Sequence, residues 1–439
     1  IFPPLFLFFL LSFLKKEYEL KISLIYVNHN LRDDVENDLE FVENFSKENK
    51  VKIFIENLDV LEYCKKNKKS VELGARELRY KVLNEKLKEL ICRHINPQIL
   101  KKVKKNTKIL YKGKYIDFPF QKNIHQLEKE EFIDCLYDLF KADEYANIRS
   151  FKDMVYAKLG KSIAEKFLVP YNEKLYACDL NTLDAEAMGR FFPKANKEEI
   201  ILNFKDQANT SYNEYFVYPI GGAIEYINSL YKNVDDTKVS LNEKVIKIDI
   251  HNKIAYTNQR KIKYNNLIST IPFPMLLELC DIPYTKEYFT WNKVLVFNLG
   301  FNKKGTDTKS SWVYIPDKEV CFYRMGYYDN ILGTSKMSLY IEIGFSKDFI
   351  IENEEKYLHK VLNDLKKIGV VKDEELIDYH SVIMDPAYVH INQKGIQSVE
   401  KYKKQLAQDN IYSIGRYGSW TYCSIEDNII EAKCLAEKI

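Results

Sequence analysis

Two unlike sequence patterns meet near residues 86–99, and no Gly- or Ser-rich linker separates them. Before this junction the chain alternates short apolar runs with helical spacing in the order β-α-β-α, which is typical of a doubly wound sheet. After it the chain has many short strands and Tyr-rich loops. An abrupt change of this kind predicts two separate folding units. We therefore expect one domain over residues 1–91 and a second region over residues 92–439.

The first region contains two candidate parallel strands, Ile22–Val27 and Val51–Ile55, on either side of a helix over Asp33–Lys50. Their apolar runs suit strands that are buried on both faces. A basic helix is expected to open at Val71. The apolar stretch Ile1–Leu14 is too short to span a bilayer, which needs about 20 apolar residues, and it lacks the features of a signal peptide. A buried helix is the favoured interpretation, with an interfacial anchor as the alternative.

Two stretches of the first region are Asn28-His29-Asn30-Leu31-Arg32 and Ala75-Arg76-Glu77-Leu78-Arg79-Tyr80. Both resemble stretches of tRNA(Ile)-lysidine synthase, an ATP-dependent tRNA-modifying enzyme, and they occur in the same order. The Ser-Gly-Gly-x-Asp-Ser loop of that family, which would hold pyrophosphate on backbone amides, does not occur in the sequence. We therefore interpret residues 1–91 as a truncated, non-catalytic PP-loop ATPase-like fragment. His29 is then an ordinary loop histidine and Arg76 a solvated helix charge.

The second region opens with a predicted hairpin over residues 108–116, with Lys112-Gly113 at its turn. Residues 125–205 have mostly helical spacing and form a predicted helical subdomain. Pro170 is expected to break a helix there and to leave Tyr171-Asn172 on an exposed bend. A three-stranded meander is expected over residues 239–272, ending in a strand over 266–271.

The rest of the second region alternates further strands with two helices. Residues 291–345 are expected to form a sheet from four strands: Val294–Leu299, Trp312–Ile315, Val320–Arg324 and Ser338–Gly344. A helix is expected over Asn353–Lys367. The chain then closes with a strand over Ile411–Ile414, a loop over Gly415–Tyr422 and a helix over Ser424–Lys438.

This last strand, glycine-containing loop and helix form a corner suited to an anion. Ser424 and Asp427 fit a capping box, so the amides of Ile425 and Glu426 would point outward with partial positive charge. Gly415 and Gly418 would let the backbone approach a ligand closely. The alternative is a strand-to-helix connection that binds nothing.

Six short motifs of the second region occur in one order: Pro119-Phe120-Gln121, Val169-Pro170-Tyr171-Asn172, Tyr218-Pro219-x-Gly221-Gly222, Ile268-Ser269-Thr270-Ile271-Pro272, Phe322-Tyr323-Arg324 and Gly415-Arg416-Tyr417-Gly418-x-Trp420. The order resembles that of UDP-galactopyranose mutase and of amine-oxidase-like FAD-dependent flavoproteins, over nearly all of residues 95–439. The resemblance implies an architecture that is both α/β and α+β. A truncated Rossmann-like fragment would precede an FAD-linked oxidoreductase-type domain with a mixed sheet, a β-meander and a helical insertion. Residues 210–290 and 400–439 would be the FAD-domain portions, 125–205 the helical substrate subdomain and 291–345 the substrate-domain sheet.

The resemblance also implies roles for individual residues. Arg324 would pair with a substrate diphosphate, as a guanidinium suits phosphate oxygens. The other substrate-binding residues would be Tyr171, Asn172, Tyr422 and Gln121. The FAD-binding residues would be Gly221, Gly222, Val245, Gly415, Arg416, Gly418, Ser424, Ile425, Glu426 and Asp427. The alternatives are a salt bridge at a strand end for Arg324 and a core position for Trp420. The sequence assigns no catalytic side chain, because the chemistry would be that of the flavin.

Two departures from the resemblance limit what it implies. No Gly-x-Gly-x-x-Gly stretch, which would cradle the FAD pyrophosphate, occurs in the sequence. We therefore expect FAD binding to be impaired. Val169 also stands where related mutases carry an arginine, which favours a relative with another substrate.

We expect a cytoplasmic flavoenzyme that acts on a UDP-sugar or a related small molecule, by mutase or by hydride-transfer chemistry, although activity could be lost with the phosphate cradle. The alternatives are a tRNA-modifying protein and a non-catalytic nucleotide-sugar-binding protein. A net charge of only +3 argues against nucleic acid as partner of the second region, and no membrane partner is expected. The eight cysteines form no CxxC pair or Cys/His cluster, so neither a disulfide framework nor a metal site is expected.

Overall fold

A computed structural model describes residues 23–28, 35–48, 52–67, 97–142, 147–193, 196–206, 215–232 and 234–436, together with 71, 74, 75, 78, 438 and 439. The stretch Ile1–Leu14, the loop around His29 and most of the helix expected from Val71, including Arg76, lie outside the described residues.

The described helices are α1 (Val35–Glu48), α2 (Val60–Asn67), α3 (Lys129–Lys141), α4 (Phe151–Ile163), α5 (Val169–Tyr176), α6 (Lys197–Asp206), α7 (Ile224–Tyr231), α8 (Phe273–Leu279), α9 (Tyr328–Leu332), α10 (Glu354–Lys367), α11 (Gln393–Gln408), α12 (Gly415–Gly418) and α13 (Ile425–Ala436). The described strands are β1 (Ser23–Asn28), β2 (Lys52–Asn57), β3 (Leu100–Lys104), β4 (Thr107–Tyr111), β5 (Lys114–Asp117), β6 (Tyr215–Pro219), β7 (Val245–Asp249), β8 (Ile254–Thr257), β9 (Lys261–Lys263), β10 (Leu267–Ser269), β11 (Asn292–Phe301), β12 (Trp312–Tyr314), β13 (Arg324–Tyr327), β14 (Ser338–Ser346), β15 (Leu376–Met384) and β16 (Ile411–Ser413). Among the described residues, no helix is both long enough and apolar enough to cross a bilayer.

The chain divides into two compact units. One takes the described residues up to 100 together with those of 223–234 and 429–439, and the other takes the described residues of 101–222 and 235–428. In the first unit, β1 and β2 pair in parallel, with Ser23 opposite Lys52. The parallel pair with its intervening helix α1 is the α/β pattern that the sequence predicts. The bounds of the domains at residue 91 stay a prediction.

A mixed sheet of seven strands, in the order β15-β11-β14-β13-β12-β4-β5, organises the second unit. Only β4 and β12 pair in parallel, and the other neighbours are antiparallel. Successive side chains of a strand point to opposite faces. On β14 this places Leu339, Ile341 and Ile343 in the core beneath α10, and turns Glu342 to the opposite face.

Helices α3, α4 and α5 share a second core on that opposite face, built around buried rings such as Phe151 and Phe167. Helix α5 can approach β14 closely because position 344 is a glycine. A Cβ atom at Gly344 would collide with the backbone carbonyl of Lys174 on α5. The mixed sheet, the meander β7-β8-β9 and the helical insertion confirm the predicted fold class.

Several local predictions were wrong. Pro170 does not produce an exposed bend: it lies in the first turn of α5, which directly follows a π-helical segment over Ala164–Leu168, and both Tyr171 and Asn172 are buried. The strand over residues 266–271 does not join the meander, because β10 pairs in parallel with β16. The strand expected at Val320–Arg324 begins only at Arg324.

Candidate functional site

Arg324 and Glu342 are direct neighbours on the antiparallel strands β13 and β14. The Arg324 Nη2 atom lies 2.5 and 2.7 Å from the two Glu342 carboxylate oxygens, and Nε lies 3.0 Å from Oε1. The Glu342 side chain is only 9% exposed. Burial opposes the charge on Arg324, but Glu342 outweighs that effect and raises the pKa of the guanidinium well above its usual value. Arg324 is therefore a charged, fixed group.

Tyrosine rings surround this ion pair. Tyr323 donates its hydroxyl to Glu342 Oε2 at 2.5 Å. Tyr171 packs edge-on against Tyr314 and Tyr323, with ring centroids 5.0 and 6.1 Å apart. Burial raises the pKa of the Tyr171 phenol well above its usual value. These phenols therefore stay neutral and serve as hydrogen-bonding and packing groups.

Arg416 of α12 lies against two further tyrosines. Its guanidinium carbon is 5.3 Å from the centre of the Tyr388 ring and 4.7 Å from that of Tyr422, and the two rings stack at 6.0 Å. Burial raises the pKa of both phenols, while the charges of Arg324 and Arg416 act in the opposite direction on each. Tyr388 and Tyr422 therefore stay neutral beside the Arg416 guanidinium.

Arg416 has no counter-ion within the part of the chain that the structure describes. Among the described residues, no carboxylate lies within ion-pair distance of its guanidinium, and its buried Nε atom has no hydrogen-bond partner. A guanidinium that is held by aromatic rings and lacks a counter-ion is a ready site for an anion.

A cavity of about 700 Å³ opens beside Tyr422. Its apolar wall contains Ala187, Met188, Phe191, Ile391, Ile396, Val399 and Trp420. Its charged lining residues are Glu186, Glu400, Lys403 and Asp427. The cavity is large enough for a small organic molecule.

The turn into α13 forms the capping box that the sequence predicts. The Ser424 hydroxyl accepts a hydrogen bond from the Asp427 amide at 3.2 Å, and the Ser424 amide donates to Asp427 Oδ2 at 2.7 Å. Ile425 is 60% exposed. The first turn of α13 is thus open to solvent at Ile425.

Gly415 and Gly418 at this corner are glycines for different structural reasons. Gly415 has φ +83°, a left-handed conformation that favours glycine. Gly418 is buried, and a Cβ there would lie 2.9 Å from the Ser413 hydroxyl and 3.1 Å from the Ser269 carbonyl. The segment expected as a loop over Gly415–Tyr422 begins as the short helix α12.

The remaining predicted site residues lie elsewhere. Asn172 donates to the Leu168 carbonyl at 2.7 Å and Gln121 donates to the Pro193 carbonyl, and both side chains are buried. Val245 lies on the meander strand β7, and Gly221 and Gly222 follow β6, where Gly222 has φ +92°. Of the predicted residues, the structure groups Tyr171, Arg324, Arg416 and Tyr422. No hydrogen bond or ring contact within the described part of the chain joins the others to Arg324 or Arg416.

Sequence reasoning missed Glu342 and Tyr388 of this group, and it missed the buried His390 beside Tyr176. Glu342 could have been noticed in the sequence, because it is a charged residue within the apolar run Leu339–Phe345. His390 supports Tyr176, whose carbonyl accepts from Nε2 at 2.9 Å, while the Thr290 hydroxyl donates to Nδ1 at 3.1 Å. Burial lowers the pKa of His390 to about 4, so the ring is neutral and this tautomer is fixed.

The residues fit one end of an FAD molecule. The exposed start of α13, with its capping box, and the left-handed Gly415 form an edge that could face a flavin ring. The glycine-rich loop that would hold the pyrophosphate is not in the sequence. The fit to FAD is therefore partial.

Comparisons with known proteins give different results for the two parts of the chain. Residues 5–96 match the PP-loop domain family. The chain is 38% identical over 80 residues to the tRNA(Ile)-lysidine synthase of Petrotoga mobilis, and 37% identical over 81 residues to that of Thermosipho africanus. Each match covers 18% of this chain, but only 26% and 19% of the relatives. The chain thus spans about a quarter or less of those proteins, and the match concerns the N-terminal region alone.

Solved structures match a much larger share of the chain than these sequence relatives do. A reduced UDP-galactopyranose mutase superposes with a TM-score of 0.70 at 20% identity, covering 76% of each chain. A candidate protoporphyrinogen oxidase from Exiguobacterium sp. 255-15 superposes with a TM-score of 0.63 at 15% identity, covering 80% of this chain and 84% of the other. At this level of identity the likeness establishes the fold, and it confirms the architecture that the sequence motifs imply.

Proposed function

We propose that the second region is the substrate-handling and flavin-contacting part of an FAD-dependent flavoenzyme. Its ligand is a small anionic molecule, of which a nucleotide sugar is one candidate. The observation that carries the proposal is Arg416, a guanidinium held on the faces of Tyr388 and Tyr422 without a counter-ion among the described residues. Such a group gains most from binding an anion, because the cost of burying the charge has been met by the fold.

The side chains of the group have different roles in binding the ligand. Arg416 attracts the acid group, while the Tyr388 and Tyr422 rings orient it and exclude water from the guanidinium. Glu342 fixes Arg324 and leaves the rim of its guanidinium, in a side chain that is 26% exposed, as a hydrogen-bond donor. Tyr171 and Tyr314 form a neutral wall behind it.

FAD, when bound, supplies the redox or covalent chemistry of such enzymes. Gly415, Ser424 and the first amides of α13 would hold the flavin-ring end. With the pyrophosphate cradle missing, we expect weak or no retention of FAD during purification. Mutase chemistry and hydride transfer by an oxidase or desaturase both remain within this proposal.

The N-terminal region has a separate candidate function. Its match to the PP-loop domain over residues 5–96 favours descent from an ATP-dependent tRNA-modifying protein. The sequence lacks the loop that would hold ATP phosphates. Binding of ATP by the full chain would support this candidate function, and failure to bind ATP would contradict it.

Calorimetric titration of the full chain with UDP and with phenylacetate, each with and without added FAD, tests the proposal. We expect at least one of the two anions to bind, and we expect Tyr422→Leu to weaken this binding at least about tenfold by removing a face from Arg416. Tyr137→Leu is the matched control, because Tyr137 lies on α3 and is 57% exposed.

Each outcome has a separate meaning. Binding that requires FAD supports the flavoenzyme, and UDP binding that is indifferent to FAD favours a non-catalytic nucleotide-sugar-binding protein. Absence of binding for both anions, with and without FAD, would contradict the proposal.

A further inference from the structure

We infer that the ligand of this site is a monocarboxylic acid with an apolar body, bound by Arg416, and not a diphosphate. The inference rests on the proposed function and names its substrate class. It follows from three features: the compensation of Arg324, the lack of compensation at Arg416, and the charge and polarity of the cavity wall.

The first feature removes Arg324 as a site for a highly charged anion. Its guanidinium makes three contacts of 3.0 Å or less with the Glu342 carboxylate. A ligand phosphate would have to compete with a buried carboxylate that is fixed on the neighbouring strand and also accepts from Tyr323. The pair is electrically neutral, so it attracts a second anion weakly.

The second feature leaves one positive charge for the ligand. The group contains two guanidinium charges, on Arg324 and Arg416, and one carboxylate, on Glu342, so two minus one leaves a surplus of one. The pair of Arg324 and Glu342 is neutral, so the surplus charge is that of Arg416, whose guanidinium lies on the faces of Tyr388 and Tyr422. One surplus charge matches a monoanion, whereas a diphosphate would bring uncompensated negative charge into a half-buried site.

The third feature is the wall of the cavity beside Tyr422. Of its four charged lining residues, Glu186, Glu400 and Asp427 are acidic, and only Lys403 is basic. These carboxylates repel a second anionic group. The apolar lining residues, among them Met188 and Ile391, instead suit a hydrocarbon or aromatic body. The acid group would therefore lie at Arg416 and the apolar body in the cavity.

A matched pair of probes tests this charge preference directly. Phenylacetate and benzylphosphonate have the same apolar body, but at a pH where the phosphonate is fully ionised they carry one and two negative charges. With the wild-type full chain, we expect calorimetry to give phenylacetate at least about tenfold tighter binding than either benzylphosphonate or UDP. This comparison needs no variant, so it does not depend on the folding of one.

Two substitutions then assign the charges. Glu342→Gln keeps the shape of the side chain but frees the charge of Arg324, so the affinity for benzylphosphonate should rise at least about tenfold relative to phenylacetate. Arg416→Met should weaken phenylacetate at least about tenfold, while Arg416→Lys, which keeps the charge, should retain most of the binding.

Tighter binding of benzylphosphonate or UDP than of phenylacetate to the wild-type chain, with the same order in Glu342→Gln, would overturn the inference and leave the proposed function standing. Failure of every probe, with and without FAD, would instead remove the proposed function itself.

Discussion

Arg324 and Glu342 form a two-point ion pair across β13 and β14, and the carboxylate side chain is only 9% exposed. The resemblance to UDP-galactopyranose mutase implies that Arg324 pairs with a substrate diphosphate, and this role stays a prediction. The pairing gives Arg324 an internal counter-ion on the neighbouring strand. We propose that an anion binds at Arg416 instead.

Arg324→Met should lower the free energy of unfolding by about 3 kcal/mol, because it leaves the Glu342 carboxylate buried without its cation. The double variant Arg324→Met/Glu342→Met should recover most of that loss. Urea denaturation of the wild type, both single variants and the double variant measures the coupling. Single variants as stable as the wild type would show that the pair is hydrated and weak.

Two glycines of the sheet should differ sharply when they are replaced by alanine. A Cβ at Gly344 meets the backbone of Lys174, whereas a Cβ at Gly326 meets the far end of the Tyr340 ring. Gly344→Ala should therefore push α5 from β14 and cost more than about 2 kcal/mol, while Gly326→Ala should cost less because a ring can turn. Thermal unfolding of the two variants compares them, and the reverse order would contradict the packing of α5 on β14.

His390 should make the protein less stable in acid. Its pKa is lowered from 6.5 to about 4 by burial, so below pH 6.5 the unfolded chain takes up a proton that the folded chain does not. The free energy of unfolding should fall between pH 6.5 and 4, by about 3 kcal/mol at most. Denaturation at several pH values should show a smaller fall for His390→Asn. Equal slopes for the two proteins would mean that His390 is charged or hydrated in the fold.

Lys174 should make the folding stability depend on pH in the alkaline range. Its ammonium donates to the carbonyls of Ile315, Asp317 and Phe322 at 2.9, 2.7 and 2.6 Å, yet burial lowers its pKa from 10.5 to about 8. Between these values the unfolded chain holds the proton that the folded chain has lost, so folding stability gains as pH rises.

The stability difference between the wild type and Lys174→Met should therefore increase from pH 8 to 10.5, by about 3 kcal/mol at most. Denaturation across this range measures it. A difference that shrinks with rising pH would show that the three carbonyls stabilise the ammonium more than burial destabilises it.

The sequence predicts the local parts of this structure well, because their causes are local. The Lys112-Gly113 turn and the Ser424–Asp427 capping box each depend on residues within a few positions of one another. The exposed bend predicted at Pro170 was wrong because a proline can either end a helix or occupy its first turn. Only the packing of the following residues decides between the two.

The site itself could be predicted only in part. Tyr171, Arg324 and Arg416 stand in motifs, Tyr422 lies two residues after the last motif, and the structure groups all four. Glu342 neutralises Arg324, yet the two residues are 18 positions apart in the chain and meet only because β13 and β14 pair in this register. Register of this kind depends on nonlocal pairing, which no single motif encodes.

We propose that an acid group binds at Arg416 while its apolar body lies beside Tyr422. Crystals of the full chain soaked with 4-bromobenzoate test it, because the bromine gives an anomalous signal that locates the ligand. We predict the carboxylate at hydrogen-bond distance from the Arg416 guanidinium, with the bromine in the cavity lined by Met188 and Ile391. A carboxylate bound at Arg324, or a ligand found only outside this cavity, would contradict the account.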